Sequence, residues 1–180
     1  MEGNEQVIIQ TKKWITEVVV GCNFCPFAAR ELRLDTIRYA VEPATAMQAC
    51  VRAFVRECEK LDADASIATT LVIFPQAFTS FNQFLKLVRE AERMLKIKRY
   101  TGIYQVATFH PDYRFAGTTA DDAANYTNRS IYPMLHILRE SSVEKALKHY
   151  AEPEKIPERN IRYAHEKGLA YMQQLRNDCL

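Results

Sequence analysis

The fold is decided by the stretch Ser66-Ile67-Ala68-Thr69-Thr70-Leu71-Val72-Ile73-Phe74. Nearly every residue in it is apolar or β-branched, as expected of a strand that is covered on both faces, and Pro75 ends it. Gly102–Phe109 predicts a second buried strand, which leads directly into His110-Pro111-Asp112. Two such strands indicate a sheet with helices packed on it.

The residues around these strands complete an alternating pattern. Thr36–Glu42 alternates apolar and polar residues, which predicts a strand at the edge of the sheet. Apolar residues from Met47 to Leu61 recur at helical spacing, and Ser80 with Gln83 predicts a capping box that opens a third helix. The order strand, helix, strand, helix, strand indicates an α/β or α+β fold with a small sheet, parallel or mixed, of three strands or slightly more.

Helices are predicted at both ends of the chain. Val7–Val20 has helical periodicity, and Gly21 is expected to end that helix in the left-handed conformation. Cys25 is then the predicted N-cap of a helix that starts at Pro26. Near the C-terminus, a helix starting at Ile156-Pro157 is expected to bend at Gly168.

Two further helices are predicted between these ends. One starts at Pro133 and carries the apolar residues that follow it, and a short one spans Val143–Tyr150. No internal repeat or long linker divides the chain, so we expect one domain over residues 1–180.

Composition excludes several classes of protein. Of 180 residues, 48% are hydrophobic and 26% charged, and 24 Lys+Arg against 22 Asp+Glu give a net charge of +2. The basic residues form no run, which argues against a role on nucleic acid or on an anionic membrane. The first residues carry no cationic segment with an apolar core behind it, and no apolar stretch approaches the roughly 20 residues that span a bilayer. Five cysteines without a disulfide pattern indicate a cytoplasmic protein.

Polar residues concentrate between Phe109 and Arg139, and this stretch predicts a site. His110 leaves the carboxyl end of a predicted strand, where α/β proteins bind ligands. Asp112 stands two residues later and could orient His110 as a general base. The alternative is a histidine that caps the strand and bonds the local backbone.

A second group in this stretch suits an anionic substrate. If Ala120–Arg129 is helical, Asp122, Asn125 and Arg129 share one face and offer an acceptor, an amide and a forked cation. Asn128 and His136 complete the expected substrate-binding group. Alternatively the amides bond their own turn and Arg129 pairs with Asp122, and His136 is a half-buried histidine without a ligand.

Cys25 is the candidate nucleophile. A thiol at a helix N-terminus has its thiolate stabilised by the dipole, so its pKa is expected to be low. Cys22 and Cys25 form Cys-x-x-Cys, but redox chemistry of the thioredoxin type requires a preceding strand, and here a helix is predicted. The alternative for both is a small apolar residue in the core.

Metal binding is a further possibility. Its candidate ligands are His110, Asp112, Asp121, Asp122 and His136. Their spacing matches no established metal motif, so no metal residues are assigned. The sequence identifies no cofactor.

Six motifs together resemble one known family. They are Asn23-Phe24-Cys25-Pro26-Phe27-Ala28, Phe109-His110-Pro111-Asp112-Tyr113, Phe115-Ala116-Gly117, Asn125-Tyr126-Thr127-Asn128-Arg129-Ser130, Pro133-Met134-Leu135-His136 and Ile156-Pro157-Glu158-Arg159-Asn160. In these the chain resembles the bacterial family called domain of unknown function 1415, over nearly its whole length. The resemblance implies a bacterial protein of similar length with no established activity. Members of that family often have leucine at the position of Cys22, so the resemblance favours Cys25 over Cys22 as a functional residue.

These observations lead to three hypotheses. The first is an enzyme acting on a small anionic metabolite, with Cys25 as nucleophile, His110 as base oriented by Asp112, and Asn125 with Arg129 as clamp. It requires Cys25 and His110 to approach each other. The second is a ligand-binding or regulatory module without chemistry, and the third is a metal-dependent hydrolase. Substrate, reaction type and oligomeric state are not determined by the sequence.

Overall fold

The computed structural model describes residues 3–148 and 150–180. In these residues a four-stranded mixed sheet lies between two layers of helices, and helices stand at both ends of the chain, which confirms the predicted α/β class. The strands are β1 (Ile37–Val41), β2 (Thr69–Ile73), β3 (Tyr104–Phe109) and β4 (Met134–Arg139). The helices are α1 (Asn4–Trp14), α2 (Ala28–Arg33), α3 (Met47–Ala63), α4 (Phe81–Ile97), α5 (Glu140–Leu147), α6 (Ile156–Lys167) and α7 (Leu169–Asn177). A π-helical segment, Ile15–Val20, continues α1, and 3-10 helices span Ala123–Thr127 and Pro153–Lys155.

The sheet has the order β1-β2-β4-β3. β1 and β2 are parallel and joined through α3, whereas β4 is antiparallel to both β2 and β3. β4 therefore lies between two parallel strands, β2 and β3, which α4 connects. β1 is an edge strand, as predicted. The strand predicted at Gly102–Phe109 forms as β3, but its predicted burial is wrong. β3 is the other edge strand, in which Tyr104 is buried but Gln105 is exposed.

The helix predicted to start at Pro133 is also wrong, because these residues form β4. A short apolar run is compatible with either structure, and only its neighbours decide. Here the Phe74 N–H donates to the Pro133 carbonyl at 3.0 Å, immediately before the strand pairs with β2. Met134, Leu135 and Ile137 are fully buried, as expected of a central strand.

Side chains that alternate along the strands divide the core in two. On one face, Leu71 and Ile73 of β2 pack in a cluster with Trp14 of α1 and with residues of α6 and α7. On the other face, Val72 packs with Phe54 of α3 and with residues of α4. We call these the α1 face and the α3 face. A residue of the sheet contributes to a site on one face only.

The ends of the helices differ from the predictions in two details. Gly21 follows the first helix, but its φ is −58°, and the left-handed residue is Asn23 with φ 54°. Glycine is needed at 21 for space, since a Cβ there would lie 2.2 Å from the Glu17 carbonyl oxygen. Ser80 is the N-cap of α4, yet its side chain makes no capping bond, so the predicted capping box does not form.

The C-terminal helices follow the predictions more closely. Gly168, with φ 83°, separates α6 from α7 at the predicted bend. The short helix predicted at Val143–Tyr150 corresponds to α5, which begins at Glu140 and ends at Leu147. His149 lies outside the described residues.

Candidate functional site

The turn that carries Cys25 is held in place from the other end of the chain. The Arg159 guanidinium donates to the Asn23 carbonyl at 2.5 Å, and the Asn160 amide donates to the Phe24 carbonyl at 2.8 Å. These bonds join the Asn-Phe-Cys-Pro motif to the Ile-Pro-Glu-Arg-Asn motif, whose bonded residues are 136 positions apart. The backbone that precedes Cys25 is thereby fixed against α6.

Cys25 stands between two cavities on the α1 face. A small one of about 40 Å³, the inner cavity, has Trp14, Cys25, Glu31, Thr69, Phe109 and His136 in its lining. An open one of about 530 Å³, the groove, has Cys25, Phe27, Asn128, Leu138, Val143, Leu147, Ile156, Asn160 and Ile161 in its lining. Cys25 and Phe27 line both, so the cysteine that borders the groove also shares the inner cavity with His136.

His136 is half-buried and lies on the central strand β4 rather than on a helix. Its Nε2 lies 2.8 Å from Thr69 Oγ1, and that hydroxyl donates to the Ile137 carbonyl at 2.6 Å. Because the hydroxyl proton goes to the carbonyl, Thr69 accepts from His136, and Nε2 carries the ring proton. Nδ1 is then an acceptor, and it has no hydrogen-bond partner among residues 3–148 and 150–180. Burial lowers the pKa of His136 to about 4, so the ring is neutral at pH 7.

The thiol of Cys25 differs from the prediction. Burial raises its pKa above the ordinary value for cysteine, although the backbone N–H groups of Ala28 and Phe27 act in the opposite direction. The N-cap of α2 is Phe27, and α2 begins at Ala28, two residues later than predicted. Cys25 is therefore not the N-cap, and the expected low pKa is wrong. At rest the inner cavity is lined by a neutral thiol and a neutral imidazole.

The structure does not bring His110 to Cys25. The His110 ring packs against Phe81 and Phe84 on the α3 face, whereas Cys25 packs on the α1 face. Its Nδ1 accepts from the Asp112 N–H at 2.9 Å, and its Nε2 donates to the Phe78 carbonyl at 2.8 Å. His110 is fully buried, and burial lowers its pKa. Asp112 is exposed, and it bonds His110 through its backbone N–H. This is the alternative in which a histidine bonds the local backbone.

The expected clamp residues bond the loop that contains them. Asn125 is fully buried; its Oδ1 accepts from the Phe115 N–H and the Thr118 hydroxyl, and its amide donates to the Thr119 carbonyl. The Arg129 guanidinium donates to the carbonyls of Tyr113 and Ala120 and stacks on Tyr126 at 4.7 Å. Asn128 donates to the Thr108 carbonyl at the edge strand, although it also lines the groove.

The helix expected over Ala120–Arg129 is a 3-10 helix of five residues, Ala123–Thr127. Asp122 caps it by accepting from the Ala124 N–H at 2.9 Å. Asp122 pairs with His165 of α6 at 2.7 Å rather than with Arg129, and this bond holds the pKa of Asp122 below its usual value. His165 was not among the predicted residues, because nothing in sequence links it to position 122.

Three residues of the site are missing from the sequence prediction. Glu31 is 1% exposed, lines the inner cavity and accepts from Thr36 Oγ1. Thr69 sets the tautomer of His136. Asn160 lines the groove and fixes the turn. Only Asn160 lies in a motif that the sequence singled out; Glu31 and Thr69 are ordinary residues of a predicted helix and strand.

Two further features concern metal binding and the remaining large cavity. No group of three or more His, Cys, Asp or Glu side chains suited to a metal ion occurs in the described part of the chain. A cavity of about 690 Å³ opens between α3 and α4, and it is lined by none of the predicted site residues.

The motifs that form the turn, the strand β4 and the start of α6 belong to one family pattern. A family model described as a protein of unknown function, DUF1415, matches residues 6–174. The chain belongs to the DUF1415 family. The match includes Cys25, His136 and Asn160. No curated protein and no solved structure matches the chain. Among the described helices of this DUF1415 protein, none has the length and apolar character needed to cross a membrane.

Proposed function

We propose that this DUF1415 protein is an enzyme that acts on a small anionic metabolite by acyl transfer to Cys25. The single observation that carries the proposal is that Cys25 and His136 line the same inner cavity, and that Cys25 also faces an open groove. A thiol that is protonated at rest needs an adjacent base to become a nucleophile. His136 Nδ1, a free acceptor on a neutral ring, takes that role, and Thr69 fixes the tautomer.

The proposed reaction conserves protons throughout. The Cys25 sulfur attacks the acyl carbonyl while the thiol proton passes to His136 Nδ1. The bond to the leaving group then breaks, and the leaving group takes the proton from His136. Water or another acceptor, deprotonated by the same nitrogen, attacks the thioester; the carbon–sulfur bond breaks, and the departing sulfur takes the proton from His136, which restores the thiol.

The anionic part of the substrate is assigned to different residues from those that the sequence suggested. Arg129 is occupied by backbone carbonyls. Arg30 and Lys145 line a cavity of about 550 Å³ that shares Phe27 with the groove, and both are exposed. We propose that these two cations attract the negative group.

A cytoplasmic location is part of the proposal. All five cysteines are unpaired, and free thiols persist in reducing compartments.

The raised pKa of Cys25 favours one other candidate, a binding module in which the thiol only packs against the ligand. Reaction with p-nitrophenyl acetate separates the two. The enzyme should release nitrophenolate in a burst and carry an acetyl group on the Cys25 peptide by mass spectrometry. Cys25→Ser should abolish the burst, and His136→Gln should slow acylation at least tenfold, within the usual contribution of a general base. Acetylation spread over all exposed thiols and lysines, with no burst, would refute the enzyme and favour the binding module.

A further inference from the structure

The groove and the cavity lined by Arg30 and Lys145 adjoin each other, and we treat them as two chemically different arms of one site. Both are lined by Pro26, Phe27 and Ala146, which therefore stand at the junction. Cys25 opens into the groove beside that junction. A molecule that fills both arms thus passes next to the thiol.

The groove arm is apolar along its length. Its apolar lining comes from Leu138 of β4, from Val143 and Leu147 of α5, and from Ile156 and Ile161 of α6. Its volume of about 530 Å³ falls in the range of pockets for small molecules, which is roughly 300–1,000 Å³. A hydrocarbon chain would exclude water from these side chains, and the hydrophobic effect would hold it there.

The other arm is polar and cationic. Arg30 and Lys145 lie in its lining with Ser142 and Tyr150, and Glu31 is its only acid among the described residues. Arg30 pairs with Glu31, whereas Lys145 takes part in no ion pair within residues 3–148 and 150–180. An anion in this arm would therefore meet a free cation. Neither arm alone explains the position of Cys25 between them.

We propose that the site takes an amphiphilic acyl compound, with its hydrocarbon chain in the groove and an anionic group against Lys145. The inference rests on the proposed function for the position of the acyl carbon, which lies at Cys25 where the arms meet. The substrate is then a medium-chain acyl ester or thioester whose other part carries a carboxylate or phosphate.

Octanoate, which has no ester bond, is a non-reactive probe that joins a hydrocarbon chain to an anionic group, and its carboxylate is expected against Lys145. Its binding, measured by calorimetry and by the fluorescence of Trp14, tests the inference. Trp14 is the only tryptophan of the chain and lines the inner cavity. Each buried methylene strengthens binding about fourfold, so octanoate should bind on the order of 100-fold more tightly than butanoate. Octan-1-ol, which has the chain but no charge, should bind about tenfold more weakly than octanoate.

Matched variants locate the two arms. Val143→Asp places a carboxylate in the apolar arm and should abolish octanoate binding, whereas Ser141→Asp, at an exposed position of the same helix, should not. Lys145→Gln should weaken the binding of octanoate but not that of octan-1-ol. Lys148 lies outside the lining, so Lys148→Gln should change the affinity for neither compound. Unfolding midpoints of all four variants establish that each is folded.

The outcomes separate this inference from the proposed function. Octanoate binding that is unchanged in Cys25→Ser supports the groove even if Cys25 proves unreactive, which would refute the enzyme alone. Equal affinity for butanoate and octanoate, or no effect of Val143→Asp, would overturn the inference while leaving Cys25 chemistry intact. Binding of peptides or a second copy of the chain in the groove, with no octanoate binding, would also overturn it.

Discussion

Protonation of His136 should destabilise the fold, and the size of the effect follows from its burial. In the folded protein the pKa of His136 is about 4, and in the unfolded chain it returns to about 6.5. Below pH 6.5 the unfolded state therefore binds a proton that the folded state does not. The contribution of the neutral His136 to the free energy of unfolding is fully present above pH 6.5 and is lost as the pH falls towards 4.

The expected loss is large enough to measure. Each unit of difference in pKa is worth about 1.4 kcal/mol, so the total is about 3 kcal/mol, of which about 2 kcal/mol is lost between pH 7.5 and pH 5. Urea unfolding of the native protein and of His136→Gln at both pH values gives the comparison. Glutamine can still donate to Thr69 but does not titrate. On acidification the free energy of unfolding of the variant should therefore fall by about 2 kcal/mol less than that of the native protein.

The comparison isolates His136 from other groups. The pKa of His110 is also lowered by burial and acts in the same direction, but it is present in both proteins and cancels. If the two proteins lost the same free energy of unfolding between pH 7.5 and pH 5, His136 would titrate normally. The lowered pKa of His136, and the burial that causes it, would then be refuted.

Two structural predictions concern the elements that support the site. Gly21→Ala should destabilise the protein by about 1–3 kcal/mol in urea unfolding, because the new Cβ would lie 2.2 Å from the Glu17 carbonyl oxygen. The control Gly3→Ala has open space around it and should change stability by less than about 0.5 kcal/mol. Equal effects of the two substitutions would contradict the steric argument. Asn125→Ala should cost about 2 kcal/mol or more, since it leaves the buried Phe115 N–H without its partner, and the loop should become sensitive to protease. An Asn125→Ala protein of native stability would return Asn125 to the role of a ligand-binding residue.

The sequence predicted those elements whose patterns are strong over many residues. α3 and α4 each present one apolar face over 17 residues, and β2 is continuously apolar. β4 was assigned to a helix because six apolar and polar residues after a proline fit either period. Its place between β2 and β3 depends on pairing with strands that are distant in sequence, which local pattern does not encode.

The site was predictable in composition but not in arrangement. Cys25 and His136 were both named from the sequence, and their functional roles stay predictions. Which histidine shares a cavity with Cys25 depends on the face of the sheet, because His110 lies on the α3 face and His136 on the α1 face. The bonds that occupy His110 come from the backbone of Phe78 and Asp112, and backbone partners leave no signal in side-chain chemistry.

The central claim is that Cys25 and His136 act as a pair, and the rate of Cys25 alkylation tests it most directly. Iodoacetamide is applied between pH 6 and pH 10 to the native protein and to His136→Gln, and each cysteine peptide is followed by mass spectrometry. Cys58, which is 1% exposed on the α3 face, serves as the internal control for unfolding. We predict that Cys25 reacts at pH 7 well before Cys58, and that His136→Gln slows the alkylation of Cys25 at least tenfold without changing that of Cys58. Cys25 that reacts only together with Cys58, or equally fast in both proteins, would contradict the pair.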